Sequence, residues 1–198
     1  MIESGAFTRC RTLSAVKIPE GVTKVGAYAF GSCTKRKRAV LPDSLLEIED
    51  GAFRNCPAPT GLELPKGLTA LGRKAFSGCA GLTRIHIPGS LREIPPYAFQ
   101  CRNGLTSLTA SEGLTAIGLH SFSLCCGLTD VTFPESLRKI GPFAFWSSPN
   151  LTDVVMPGEL EEIGGWTSWP AQKMTIHAPA GSALESWSRA HPIRFQAF

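Results

Sequence analysis

The sequence contains no run of 18 apolar residues, so no helical membrane span is expected. Its opening residues lack a charged segment followed by an apolar one, and no signal peptide is expected within the chain. Cysteine pairs of the C-x₂-C kind, the usual mark of a metal cluster, are absent. The four histidines, His86, His120, His177 and His191, include no i, i+4 pair that could hold a metal. No nucleophile motif, glycine-rich phosphate loop or paired-carboxylate arrangement is present. Nor is there a dense basic stripe of the kind a nucleic-acid binder carries. The densest basic run, Lys35 to Arg38, is confined to one place and is expected to be solvated. These absences point away from an enzyme, a metal or cofactor, and a nucleic-acid partner.

What is present is a period. Phenylalanine recurs every 23 residues at Phe7, Phe30, Phe53, Phe76, Phe99, Phe122 and Phe145, and all but Phe122 follow an alanine. A fixed period of this length is one supersecondary unit stacked on copies of itself. The expected product is a solenoid, a shape that offers an extended surface more often than a catalytic pocket. The unbroken period argues for one elongated body with no internal boundary. Charge is uneven along it: residues 1–99 hold 14 Lys/Arg against 8 Asp/Glu, and residues 100–198 hold 6 against 8. Ile2 falls one period before Val25, so the chain begins mid-repeat. It is therefore expected to be a fragment of a longer protein, or to have a first repeat capped by something else.

Other columns keep the same step. Leu45, Leu68, Leu91, Leu114, Leu137 and Leu160 form one, opened by Val22; Val25, Ile48, Leu71, Ile94, Ile117, Ile140 and Ile163 form the next. Glycine often follows the second column, as at Gly26, Gly72, Gly118, Gly141 and Gly164, and suits a corner where a side chain would clash. Upstream, Val16, Ala39, Leu62, Ile85, Leu108, Val131 and Val154 are each followed two residues later by a second inward residue, which is strand periodicity. Proline ends that strand at Pro19, Pro42, Pro65, Pro88, Pro134 and Pro157, because it lacks the N–H that continues a ladder; Ser111 replaces it once. Each repeat is thus predicted as a short strand, a proline turn, a second extended piece, a glycine corner and a short helical or 3₁₀ turn carrying Ala-Phe. About eight coils at ~4.8 Å would make a rod of about 40 Å.

Cys10, Cys33, Cys56, Cys79 and Cys125 lie in register three residues after Phe, while Cys101 is one position early and Cys126 follows Cys125. Disulfides between neighbouring coils are within reach, but in-register side chains point the same way. A ladder of reduced, buried thiols acting as small hydrophobes is the expected arrangement. The odd count leaves at least one thiol without an intramolecular bridge.

The pattern L-x-x-V-x-I-P-x-x-[LV]-x-x-I-G-x-x-A-F-x-x-C resembles the BspA-like leucine-rich repeat family of bacterial and some protist surface proteins. Leu82, Ile85, Ile87, Pro88, Leu91, Ile94, Ala98 and Phe99 carry it in one repeat. Arg36, Pro59, Ala110 and Ser111 depart from it. The resemblance implies a right-handed leucine-rich repeat solenoid, mostly β with short helical or 3₁₀ turns, over residues 1–163. Residues 164–198 would then form the last repeat and cap: a strand from Met174, a helix over Ala183–Ala190 started by Gly181-Ser182 and stopped by Pro192, and a closing strand over Ile193–Phe198. Trp166, Trp169 and Trp187 would cover the end of the core. The resemblance further implies a monomeric, non-enzymatic module, on the cell surface or secreted, that binds host protein, matrix or another cell. A stalk-like spacer and an intracellular scaffold are the alternatives.

Binding on such a rod belongs to the outward strand positions that flank the Val column. Those chosen as candidates are Lys17, Arg38, Glu63, Arg84, His86, Thr109, Asp130, Thr132 and Asp153. They vary in charge and size where the inward positions repeat, the pattern of a tailored face; unconstrained drift would give the same pattern. The column Thr60, Thr83, Thr106, Thr129 and Thr152 is expected to hydrogen-bond along the coil edge.

Overall fold

A computed structural model describes residues 1–33, 38–56, 62–79, 81–165, 174–191 and 193–198. The predicted Trp166 and Trp169 cap, Thr60, the Pro192 stop and the basic residues Lys35 to Lys37 lie outside the described residues.

The chain is a parallel β-solenoid of about seven turns. Strands β1 (Ala15–Lys17) and β3 (Arg38–Val40) form a two-stranded sheet on one side of it. A six-stranded sheet continues that side: β6 (Arg84–Ile87), β8 (Ser107–Ala110), β10 (Asp130–Thr132), β12 (Asp153–Val155), β14 (Thr175–Ala178) and β15 (Arg194–Ala197). A second side carries the two-residue strands β2 (Lys24–Val25), β4 (Glu47–Ile48) and β5 (Ala70–Leu71), then β7 (Glu93–Ile94), β9 (Ala116–Ile117), β11 (Lys139–Ile140) and β13 (Glu162–Ile163). All pairing is parallel. The register steps by one period, as in Val131↔Val154, until the last turn, where Val154 meets Ile176 and one residue has been lost.

Sequence chemistry accounts for each bend. After the strand, the Leu-column N–H donates to the proline carbonyl three residues back, as in Leu68 to Pro65 at 3.0 Å and Leu91 to Pro88 at 3.0 Å. At the glycine corner the backbone runs against the preceding coil: a Cβ on Gly72 would lie 2.2 Å from the Asp50 nitrogen.

The Ala-Phe turn alternates in handedness. Residues two before and two after each Phe are left-handed, with φ of +53° at Tyr28, +60° at Ser32, +61° at Tyr97 and +61° at Cys101. As a result Tyr28, Phe30 and Ser32 donate N–H bonds to the next coil (Asp50, Ala52 and Arg54 carbonyls, 2.8–2.9 Å). Ala29 and Gly31 instead close turns within their own coil. Every second peptide therefore ties adjacent coils together, which satisfies backbone groups that the buried corner would otherwise orphan.

The core is a set of ladders. Phe rings stack nearly parallel, with centroid steps of 5.1–5.4 Å at all but one place. Beside them each column thiol points at the carbonyl of the Phe 26 residues earlier: Cys33 to Phe7 at 3.1 Å, Cys56 to Phe30 at 2.7 Å, Cys79 to Phe53 at 3.0 Å and Cys125 to Phe99 at 3.5 Å. Ser148 replaces the thiol with a hydroxyl and keeps the bond, at 3.2 Å to Phe122. Burial pushes the Cys125 thiol up to about 12, so it stays protonated and able to donate.

Arg102 occupies the column position that Cys101 misses by one. It is 0 % exposed, its guanidinium donates to the Phe76 and Cys79 carbonyls, and its Nε has no partner. The Phe76–Phe99 step beside it is the wide one, 5.7 Å.

At the C-terminus α1 (Ala183–Arg189) lies over the end of the core, with Leu184 and Ser188 buried and Trp187 partly buried against it. Ser182 takes the N-cap position, but its hydroxyl makes no cap bond. Glu185 reaches back to the Gly181 N–H at 2.9 Å instead and also holds Arg189 at 2.6 Å.

Candidate interaction surface

Because Cβ atoms alternate along a strand, burying Ile85, Leu108, Val131 and Val154 turns their neighbours outward. Two outward columns result. One runs Arg84, Ser107, Asp130, Asp153, Thr175, Arg194; the other runs His86, Thr109, Thr132, Val155, His177, Gln196.

Of the predicted candidates, Arg84, His86, Thr109, Asp130, Thr132 and Asp153 share this continuous sheet and are exposed. Lys17 is exposed on β1, in the separate two-stranded sheet; Arg38 is on β3, its side chain outside the described residues. Glu63 is exposed between buried Leu62 and Leu64, so the outward alternation persists although this turn forms no strand. Glu63, Arg84, His86 and Thr109 come together with Ser107 around a shallow cavity of about 350 Å³ floored by Leu62, Leu64 and Ile85.

Hydrogen bonds fix part of this face. His86 spends both ring nitrogens, Nδ1 on Thr109 Oγ1 and Nε2 on Ser111 Oγ, each at 2.9 Å. Ser111 stands where other repeats have proline, so the departure from the pattern supplies the second tether. The threonine column bonds along the coil edge as expected at Thr106, whose Oγ1 donates to the Thr83 carbonyl at 3.0 Å. Further along, Thr129 Oγ1 donates to Asp130 at 2.7 Å, and Thr152 Oγ1 lies 2.8 Å from Asp153 Oδ2 and 3.3 Å from the Thr129 carbonyl.

Asp130 and Asp153 are direct neighbours on adjacent strands, an arrangement that repels. His177 relieves it from the next strand, its Nε2 lying 3.0 Å from Asp153 Oδ1. The His177 hydrogen bond, then that of Thr152, holds the Asp153 carboxyl below its usual value. A depressed carboxyl contributes stability that is present above the unfolded value, about 3.9, and is lost as pH falls through the lower folded value. Asp153→Asn is therefore expected to lower the urea midpoint at pH 5–6 and to approach wild type as the pH falls through the depressed folded value. Urea titrations across that range check this; because the aspartate is largely exposed, the difference will be small.

The second side carries ion pairs, while its exposed Arg92, Glu93 and Glu161 form none among the described residues. Lys24 pairs with Glu47 and Glu49, Lys139 with Glu162, and Arg138 with Glu159. On the strand face, among the described residues, Lys17, Arg84 and Asp130 form no ion pair. An outward aromatic row went unforeseen: His120 stacks between Tyr97 and Phe143 at 5.3 and 5.1 Å, with Trp146 edge-on at 6.0 Å. Burial lowers the His120 pKa. No group of three His, Cys, Asp or Glu suited to a metal occurs among the described residues, and no described helix is long and apolar enough to cross a membrane.

Known proteins bear on this arrangement in three ways. Among curated proteins, no sequence matches the chain. Solved structures do: a leucine-rich repeat protein of T. pallidum is 30% identical with a TM-score of 0.70, covering 76% of this chain and 70% of that one. A leucine-rich cell surface protein of Faecalibacterium prausnitzii is 22% identical with a TM-score of 0.53, covering 98% of this chain and 62% of that one. The pneumococcal vaccine antigen PcpA is 21% identical with a TM-score of 0.53, covering 84% and 51%. The last two likenesses are of fold. The BspA-type leucine-rich repeat region matches in six copies, over residues 1–104 and 47–168. With that match and the stacked 23-residue turns, the chain belongs to the BspA-type leucine-rich repeat family.

Proposed function

We propose that the chain is a non-enzymatic adhesion module of a bacterial cell-surface or secreted protein and binds other proteins through its strand face. The observation that carries this is the outward row on the six-stranded sheet, where Arg84, His86, Thr109, Asp130, Thr132 and Asp153 are exposed and differ in charge and size over inward positions that repeat. Arg84 and Asp130 on that sheet, and Lys17 on β1, form no ion pair among the described residues. A surface location is supported by the name of the Faecalibacterium prausnitzii relative, a cell surface protein. The shallow cavity around Arg84 and Glu63 suits a partner's side chain better than a reaction, which would need enclosure.

The test is a variant with Arg84→Ala, Thr109→Ala and Asp130→Ala, measured for adhesion to purified matrix proteins and to cells. Exposed positions of this kind alter stability by only about 0.5 kcal/mol each. The fold is therefore expected to survive while adhesion falls by roughly tenfold or more, the loss of ~1.4 kcal/mol of contact. An Arg138→Ala, Lys139→Ala control on the second side should adhere like wild type. Unchanged adhesion of the strand-face variant would put binding elsewhere on the rod, and a wild-type rod that does not adhere would be a spacer.

A further inference from the structure

Arg84, Ser107 and Asp130 are consecutive partners across three strands, so a cation and an anion flank a neutral centre at equal distance. Two strand spacings, about 9.6 Å, separate the Arg84 and Asp130 backbones, and their side chains form no ion pair with each other across Ser107. Among the described residues neither has an ion partner; the Asp130 carboxylate accepts only the Thr129 hydroxyl. The pattern is self-complementary under a two-fold rotation about an axis along β8, which reverses the order of coils and preserves the strand direction. That rotation sets Arg84 of one copy against Asp130 of the other, and the reverse, with Ser107 and Thr109 meeting their own equivalents. His86 then faces Thr132. Rotation about the rod axis instead would set Arg84 against Arg84 and Asp130 against Asp130, which repel.

We infer that the strand face pairs with a second copy of this chain laid end for end, held by reciprocal Arg84–Asp130 contacts. This rests on the strand-face reading and names its partner: the same protein projecting from an opposing surface, where two copies meet in reversed orientation. Closed two-fold pairing through one patch is the commonest form of self-association. The contact is small. Rotation about β8 overlaps β6, β8 and β10 of the six-stranded sheet. Three strands at ~4.8 Å by three residues at ~3.3 Å give a footprint of about 140 Å², well under the ~800 Å² per partner of stable complexes. Pairing is thus weak in dilute solution and gains from many copies acting together on two surfaces.

Sedimentation equilibrium of the full chain, up to about 1 mM and at low ionic strength where a Debye length near 30 Å preserves these charges, tests it. The wild-type chain should dimerise with concentration and dissociate with salt. Arg84→Glu and Asp130→Lys should each weaken association at least tenfold, with melting temperatures confirming that both fold. Mixed in equal amounts, the two single variants should form a heterodimer, and the double variant should pair with itself again. A wild-type chain that stays monomeric, single variants that associate as wild type does, or a mixture that gains nothing overturns the inference. In any of those cases, matrix adhesion lost in the Arg84, Thr109, Asp130 variant would leave the strand-face reading standing. Adhesion kept there would remove both.

Discussion

Phe99→Ala is expected to destabilise the protein by about 3–5 kcal/mol, the range for truncating a fully buried aromatic side chain. Phe99 is 0 % exposed and stacks on Phe76 on one side and Phe122 on the other. Its loss therefore removes two ring contacts, each worth ~0.5–1.5 kcal/mol beyond area, and opens a void that flanking coils cannot fill without breaking register. Phe7 provides the internal control. It holds the same column position but is 41 % exposed and stacks on one side only, so Phe7→Ala should cost well under half as much. Urea denaturation reads the difference. In a protein of this size ~1 kcal/mol moves the melting temperature by roughly 2–4 °C, so Phe99→Ala should lower it by about 6–20 °C. Equal losses at the two positions would mean that the ladder is not what holds the coils together. Because each coil touches only its neighbours, the central variant should also broaden the transition, with the two halves beginning to unfold separately.

Arg102→Cys is expected to do the opposite and raise stability by about 1–3 kcal/mol. Arg102 is a fully buried cation with no carboxylate beside it among the described residues. What compensates it is two backbone carbonyls and the faces of Phe99 and Phe76, at 5.5 and 6.0 Å. Burying an ion costs several kcal/mol even after relaxation, and exchanging buried charges for a well-fitting neutral residue is often stabilising by ~1–4 kcal/mol. Here the fitting residue is known, since four other turns place a thiol on the equivalent Phe carbonyl. The Phe76–Phe99 step should also contract from 5.7 Å toward the 5.1–5.4 Å of the other steps. Thermal denaturation under reducing conditions, with a crystal structure of the variant, checks both parts. Destabilisation would show that the guanidinium contacts and wider spacing are needed, for example to fix the register of this turn.

The ladders were legible because periodic columns are a direct record of stacking. Leu, Ile, Phe and Cys return at fixed spacing, and the structure buries them in that order. The handedness of the Ala-Phe turn was not legible, since Tyr28, Lys74, Tyr97, His120 and Phe143 share a left-handed backbone and no side-chain chemistry. Gly5, Gly51, Gly78 and Asn55 are the residues there whose type favours it. Arg102 was hidden by the adjacent Cys101, which draws the eye to a slipped thiol when the column had in fact exchanged one donor for another. The outward positions were legible as positions, from strand alternation alone. Their pairing was not: His177 reaches Asp153 across a turn that has lost a residue, and Ser111 anchors His86 because it replaces a proline. Both depend on breaks in the repeat, which periodicity does not register.

The most direct test of this division between a repeating scaffold and a non-repeating face is a saturation scan of the whole chain read twice, for folded display and for adhesion to matrix protein. Positions that abolish display should recur at the 23-residue step on the Leu, Ile, Phe and Cys columns. Positions that abolish adhesion alone should cluster at Arg84, His86, Thr109, Asp130 and their outward neighbours. Adhesion-only positions that are scattered over the coil, or gathered on the second side with Lys24 and Lys139, would contradict the account.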